Sequence, residues 1–104
     1  MKLYYYKLEV PFYNKPYMKC VEIECEEKNK AYYPTARIDR QFIRKSIIGT
    51  VENNELYLAQ KDDEYAKIKF EQSINRKIRE HEMDIKLLKE NLLALEENWI
   101  YEKV

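Results

Sequence analysis

Glycine is almost absent from this sequence, because Gly49 is the only one among 104 residues. A backbone cradle for phosphates needs several glycines, so phosphate loops and dinucleotide-binding turns are not expected. His81 is likewise the only histidine, which excludes a multi-histidine metal site within one chain. No nucleophile elbow or HExxH motif occurs either. The sequence therefore predicts a protein that is not an enzyme and that uses no cofactor or metal.

The sequence also lacks a net charge, a disulfide pattern and a long apolar run. Its 19 basic residues balance 19 acidic ones, unlike the positive excess of dedicated nucleic-acid binders or the negative excess of whole-protein DNA mimics. Cys20 and Cys25 fit neither a redox motif nor a metal knuckle, and within one strand they would point to opposite faces. No stretch approaches the roughly 18 apolar residues of a membrane span. These absences predict a cytoplasmic protein with two reduced thiols.

The distribution of proline, glycine and cysteine divides the chain into two parts. The three prolines, the glycine and both cysteines lie before residue 61, whereas 62–104 contains neither proline nor glycine. Absence of both helix breakers over that length favours a helix. The sequence predicts a single α+β domain, with an antiparallel sheet region at 1–61 that includes a short helix near 36–45. One long C-terminal helix follows, from about residue 62 to about residue 101.

Alternation of apolar and polar residues predicts the sheet. Segments 2–10 and 18–27 alternate as the two arms of a β-hairpin with one buried and one wet face. A second hairpin is predicted around Asn53 and Asn54, because asparagine tolerates the positive φ of a tight turn. Residues 47–51 would form the first arm of that second hairpin. The predicted sheet is therefore a small one made of two hairpins.

The predicted outward face of the second strand carries Glu22, Glu24 and Glu26. Successive glutamates on one strand face lie about 6.8 Å apart, close to the spacing of phosphates along a nucleic-acid strand. Together with Tyr5 they form the predicted partner-binding patch, and local phosphate mimicry is one interpretation of it. The other interpretation, which we favour, is a charged edge that prevents aggregation. Ten tyrosines favour a protein-binding surface and simple coverage of a small sheet equally.

A basic cluster follows, made of Arg37, Arg40, Arg44 and Lys45 beside the tyrosine pair at 32–33. Arginine interleaved with aromatic side chains suits single-stranded nucleic acid or a phosphorylated ligand. It also suits ion pairs with the acidic strand of the same chain, which we favour. Nucleic-acid binding or nucleotide sequestration is therefore an alternative function for this chain, and protein binding is the main prediction.

The long helix carries a heptad repeat from residue 74 to residue 99. The predicted seam, in which one histidine is the only residue that is not apolar, consists of Ile74, Ile78, His81, Ile85, Leu88, Leu92, Leu95 and Trp99. A parallel homodimer would bring Lys77 opposite Glu82 and Asp84 opposite Lys89 of the second copy. We expect this dimer, although packing on the chain's own sheet and binding of a partner helix are alternatives. A structural coiled-coil adaptor is the third function compatible with the repeat.

The opening MKLYYYKLE at 1–9, the VEIECEE strand at 21–27 and the Lys/Glu-rich terminal helix resemble small proteins of phages and prophages from low-GC Gram-positive bacteria. This resemblance implies an inhibitor of host defence, such as an anti-CRISPR protein acting on a CRISPR–Cas effector or another defence nuclease in the host cytoplasm. The balanced net charge departs from the strongly acidic anti-CRISPR proteins that mimic DNA. The expected function is therefore non-enzymatic binding of a host protein.

Overall fold

The computed structural model describes residues 1–36 and 40–103, and these residues form an α+β fold, as predicted. A short 3-10 turn, Lys45–Ile47, precedes the last strand. The elements, in chain order, are β1 (Lys2–Glu9), β2 (Tyr17–Glu27), β3 (Ala31–Pro34), β4 (Ile43–Arg44), β5 (Glu55–Leu58) and α1 (Asp63–Glu97). Two compact units are distinguishable, one comprising Met1–Glu71 and the other beginning at Gln72. Within the described residues, no helix combines the length and the apolar character needed to cross a membrane.

The strands form an antiparallel sheet in the order β4-β3-β2-β1-β5. Strand β1 lies between β2 and β5, so the first strand in the sequence has partners on both sides. Its pairing with β2 confirms the first predicted hairpin, with Leu3 opposite Ile23 and Tyr6 opposite Cys20. Cys20 is exposed and Cys25 is buried, and both thiols are free.

Both faces of the sheet bury apolar side chains, because strands β1 and β5 contribute to a core on each side. One cluster consists of Leu3, Ile23, Cys25, Tyr32, Ile43 and Tyr57. The other consists of Tyr6, Leu56, Leu58, Ala66 and Phe70, so the first turns of α1 supply two of its members. The prediction of one buried and one wet face therefore holds for β2 but is wrong for β1, whose even-numbered residues face the helix start.

The turn of the predicted second hairpin is confirmed, but the prediction of its first arm is wrong. Asn53 and Asn54 have φ values of 51° and 62°, as a type I′ turn requires. Residues 47–51 do not form a strand, however, and only the bridge between Glu52 and Glu55 precedes β5. Strand β5 pairs with β1 instead. Strand β1 offers a ladder of four residue pairs to β5, which outweighs the local alternation at 47–51.

The short helix predicted near 36–45 is wrong for most of the residues of that segment that the structure describes, because only Lys45, the first residue of the 3-10 turn, is helical there. Residues 40–42 have no helical structure, and Ile43–Arg44 is strand β4. Ile43 lies opposite Tyr32 in the ladder, and its side chain is fully buried. Burial in an extended conformation therefore overrides the helical spacing of the apolar residues. Arg37 lies outside the described residues.

Helix α1 begins where the sequence places it. The side chain of Asp62 caps the first turn by accepting a hydrogen bond of 3.0 Å from the Tyr65 amide. The Tyr6 hydroxyl donates to the Asp63 carboxylate at 2.7 Å and accepts from the Asp62 amide at 3.1 Å. This buried tyrosine on β1 thus attaches the start of the helix to the sheet.

Helix α1 has 35 residues and runs without interruption through Ser73 and Asn75, which would be the weakest stretch if the helix broke. It ends at Glu97, earlier than the predicted end near residue 101. Glu96 and Glu97 occupy the last turn and no basic residue does, so charge at the negative end of the helix dipole is unfavourable there. Trp99 therefore lies beyond the helix, and its indole N–H donates to the Leu95 carbonyl.

Candidate functional site

Every side chain of α1 after residue 73 is exposed in the described chain. These residues belong to the second unit, which begins at Gln72, whereas the first helical turns at 63–71 belong to the first unit. The exposed fraction rises from 49% at Ile78 to 64% at Leu95. Large aliphatic side chains are seldom left exposed together in one continuous stripe unless they bind something. The stripe is therefore the first candidate surface.

The helical seam is shorter than predicted. Trp99 is outside the helix, so the heptad pattern loses its last layer and the helical members are Ile74, Ile78, His81, Ile85, Leu88, Leu92 and Leu95. Leu87 and Leu93 are exposed beside this seam and widen the apolar surface. His81, the only seam residue that is not apolar, is exposed in a single chain.

The acidic strand face, made of Glu22, Glu24 and Glu26, is the second candidate surface, and all three residues are exposed. Lys2 lies 3.5 Å from the Glu22 carboxylate, and the N-terminal ammonium lies 3.5 Å from that of Glu24. Two of the three charges therefore have a cationic neighbour. A row of partly neutralised carboxylates is a poor imitation of a phosphate backbone, so the geometry gives phosphate mimicry little support.

Tyr5 does not share a face with these glutamates, contrary to the predicted patch. In the observed register Tyr5 lies opposite Val21 on one side and Tyr57 on the other. Its ring centroid is 4.9 Å from that of Tyr57, and its hydroxyl donates to Glu55 at 2.7 Å. Burial, together with the hydrogen bond to Glu55, raises the pKa of Tyr5. The patch is thus split between opposite faces because odd-numbered residues of both strands point the same way.

Two members of the predicted basic cluster make ion pairs within the chain. Lys45 Nζ lies 2.8 Å from the Glu27 carboxylate at the end of the acidic strand. The Arg40 guanidinium lies 3.9 Å from Glu55 and 5.6 Å from the Tyr57 ring centroid. Arg44 makes no ion pair with the described residues, and its guanidinium lies 5.9 Å from the Phe42 ring centroid. Internal pairing therefore accounts for part of the cluster only.

An open groove lies along β3 and β4, and sequence reasoning did not find it. Its volume is about 590 Å³, and it is lined by Asn29, Lys30, Ala31, Tyr33, Phe42, Arg44, Lys45 and Ser46. Phe42 lies within the segment predicted to be a short helix, but it directly precedes strand β4 and lies beside Tyr33. The two rings have centroids 6.1 Å apart. Phe42 and Arg44, two residues apart like neighbours on one strand face, are the sequence signal that could have indicated the groove.

Metal-binding clusters and the reactivity of the buried cysteine can be assessed in the part of the chain that the structure describes. Residues 1–36 and 40–103 contain no group of three or more His, Cys, Asp or Glu side chains that could hold a metal ion. Burial raises the pKa of the Cys25 thiol, which disfavours the reactive thiolate.

No protein-family model, curated protein or solved structure matches the chain.

Proposed function

We propose that this chain is a non-enzymatic protein-binding protein whose helix α1 supplies the binding surface, and that a second copy of the chain is its first partner. One observation carries the proposal. Five aliphatic side chains follow heptad spacing on a continuous helix, and each is about half exposed or more: Ile78, Ile85, Leu88, Leu92 and Leu95. Water-exposed aliphatic side chains in this pattern are what two helices bury when they form a coiled coil.

The energetics of pairing support a dimer. Each aliphatic side chain that becomes fully buried contributes roughly 1.5–3 kcal/mol. Several such layers exceed the cost of association by enough to hold a dimer at micromolar concentration. His81 is the weak layer, because in a parallel dimer this polar side chain meets its counterpart between aliphatic layers.

Charge favours the parallel orientation over the antiparallel one. Parallel helices place Lys77 opposite Glu82 and Asp84 opposite Lys89 of the other copy, and symmetry repeats both pairs. The antiparallel register with complete overlap retains only the contact between Glu82 and Lys89, which symmetry also repeats. Exposed pairs contribute little each, typically below about 1 kcal/mol, so they select the orientation while the aliphatic layers supply the strength.

Sedimentation equilibrium at tens of micromolar tests the dimer. The unmodified chain should sediment as a dimer, and Leu88→Asp/Leu92→Asp should be monomeric because two carboxylates would enter the seam. Met83→Asp is the matched control, since Met83 is exposed on the same helix outside the seam and its replacement should leave the dimer intact. A monomeric unmodified chain, or a double variant that remains dimeric, would contradict the proposal.

The proposed target of this protein is a host defence protein such as a CRISPR–Cas effector, in keeping with the resemblance to phage proteins. The acidic strand face is the proposed contact, because Glu22, Glu24 and Glu26 are exposed. A phage-interference assay with the three glutamates changed to lysine tests this contact. Loss of inhibition by a variant that still folds and dimerises would support it, and undiminished inhibition would contradict it.

A further inference from the structure

The groove along β3 and β4 combines exposed aromatic rings with cations. Tyr33 and Phe42 are 40% and 41% exposed, and their rings are tilted by 38° to one another. Lys28 Nζ lies 5.0 Å from the Tyr33 ring centroid. A second hollow of about 370 Å³ continues the groove past Phe42 and Arg44, and Arg40, Gln41 and Ile47 line the rest of it. Phe42 and Arg44 therefore line both hollows, whereas Tyr33 lines the groove only.

No acidic side chain is among the described residues that line the groove or the adjoining hollow. Lys30 and Arg44 make no ion pair within residues 1–36 and 40–103, whereas Lys45 is paired with Glu27 at 2.8 Å. Glu26 is the partner of Tyr33 in the ladder, so the acidic strand face begins at one side of the groove. A protein with no net charge thus carries a local positive surface with a sharp negative border.

Cations and exposed rings in this arrangement fit an unpaired nucleotide chain. Unpaired bases stack on aromatic side chains, and the phosphates between them bind lysine and arginine. An acidic peptide would use the cations and leave the two rings unused. A duplex hides its bases in the stack and is bound mainly through many phosphate contacts, which Lys30 and Arg44 alone cannot provide.

We infer that the groove binds single-stranded nucleic acid, with bases stacked on Tyr33 and Phe42 and phosphates held by Lys30 and Arg44. This binding is independent of the helix seam and of the acidic strand face. With about two phosphate contacts, the dissociation constant should lie near 10–100 µM at low salt. Raising the salt concentration from about 50 mM to about 200 mM should weaken binding about 7-fold, from a slope of roughly 0.7 for each phosphate contact.

The test is fluorescence anisotropy of a labelled oligouridylate of about 12 nucleotides, within the range of known single-strand sites, titrated with the full chain. Phe42→Ala should weaken binding at least about 5-fold through lost stacking. Arg44→Ala should lower the slope of the salt dependence by about 0.7. The matched controls are Phe12→Ala, which removes an exposed ring outside the groove, and Arg79→Ala on the exposed helix. Neither control should change the affinity or the slope.

Three results would overturn the inference. The first is absence of binding at about 1 mM protein, ten times the weakest dissociation constant expected. The second is equal affinity for a duplex of the same length, which would indicate phosphate contacts without stacking. The third is tighter binding of a labelled oligoglutamate with the same dependence on Phe42 and Arg44, which would assign the groove to an acidic protein segment. Circular dichroism of each variant verifies that it is folded.

Discussion

The two stretches of helix α1 have the same secondary structure and opposite environments. Within 63–71, Ala66 and Phe70 are buried in the core that they share with Tyr6 and Leu56. From residue 74 onward every described side chain of the helix is exposed. The first stretch is stabilised by tertiary packing, and the second has only hydrogen bonds within the helix and its intrinsic propensity.

This difference indicates which part of the helix depends on a partner. Helices that lack tertiary packing are marginal in water even when their sequences favour the helix, because the first turn is costly to form. The stretch 63–71 provides that first turn, and the following residues extend it. The exposed aliphatic side chains gain stability only when another surface buries them, so association and helix content from 72 to 97 should rise together.

The two stretches should differ most in the unfolding free energy that is lost when one residue in each is truncated. Phe70→Ala should lower the free energy of unfolding by about 3–5 kcal/mol, because it leaves a cavity in the core. Leu88→Ala should change it by less than about 0.5 kcal/mol in the monomer, since Leu88 is 61% exposed. Urea unfolding at concentrations low enough for the monomer measures both. Equal costs would mean that Leu88 is buried in the monomer as well.

A smaller effect is expected at the junction between sheet and helix. Tyr6→Phe removes the hydroxyl that bonds both Asp62 and Asp63, and it should destabilise the chain by about 1 kcal/mol. The hydrogen bond from Tyr6, followed by that from Lys61, lowers the pKa of Asp63. The stabilisation from this lowered pKa is therefore present above the unfolded-state pKa of about 3.9 and is lost as the pH falls through the folded-state value.

The pH dependence provides the check on that variant. The difference in unfolding free energy between the unmodified chain and Tyr6→Phe should be constant near neutral pH and should shrink below about pH 4. Thermal unfolding followed by circular dichroism between pH 7 and pH 2 measures it. A difference that stays constant throughout would show that the Asp63 carboxylate does not contribute through Tyr6.

Gly49→Ala should lower the free energy of unfolding by a comparable amount, about 1 kcal/mol. The φ of Gly49 is +80°, and an added methyl group would find no atom within 4 Å. Backbone conformation alone therefore makes glycine favourable here. The substitution should lower the stability of the sheet unit and leave the affinity of the dimer unchanged. Thr50→Ala, a neighbouring exposed position, is the control for urea unfolding. An unchanged midpoint for Gly49→Ala would mean that the turn adopts another conformation without loss.

The smallest effect concerns the orientation of the paired helices. Lys77→Glu should weaken a parallel dimer by a few tenths of a kcal/mol for each of the two symmetric contacts with Glu82. Lys77→Glu/Glu82→Lys should restore the affinity, because the two charges are exchanged and the pair remains attractive. Sedimentation equilibrium at low ionic strength measures the dissociation constants. In an antiparallel dimer Lys77 would not face Glu82 of the other copy, so an unaffected dimer would indicate that orientation.

The candidate surfaces could be predicted only in part. Sequence reasoning identified Arg44, Lys45 and the three glutamates, but it joined Tyr5 to the wrong face and missed Phe42. The error at Tyr5 arose because the register of two strands depends on contacts between them, which neither strand's alternation specifies. Phe42 was misplaced because its segment has helical spacing, whereas pairing of Ile43 with Tyr32 makes it extended.

Local interactions explain what the sequence determined by itself: the β1–β2 hairpin, the Asn53–Asn54 turn and the start of a long helix after residue 61. Each depends on neighbours in the chain, through alternation, tolerance of positive φ and absence of helix breakers. Only the tertiary structure decided that β5 pairs with β1 and that Ile43–Arg44 extends the sheet. These outcomes depend on which distant residues compete for the same hydrogen bonds and the same buried volume, and local patterns carry no record of that competition.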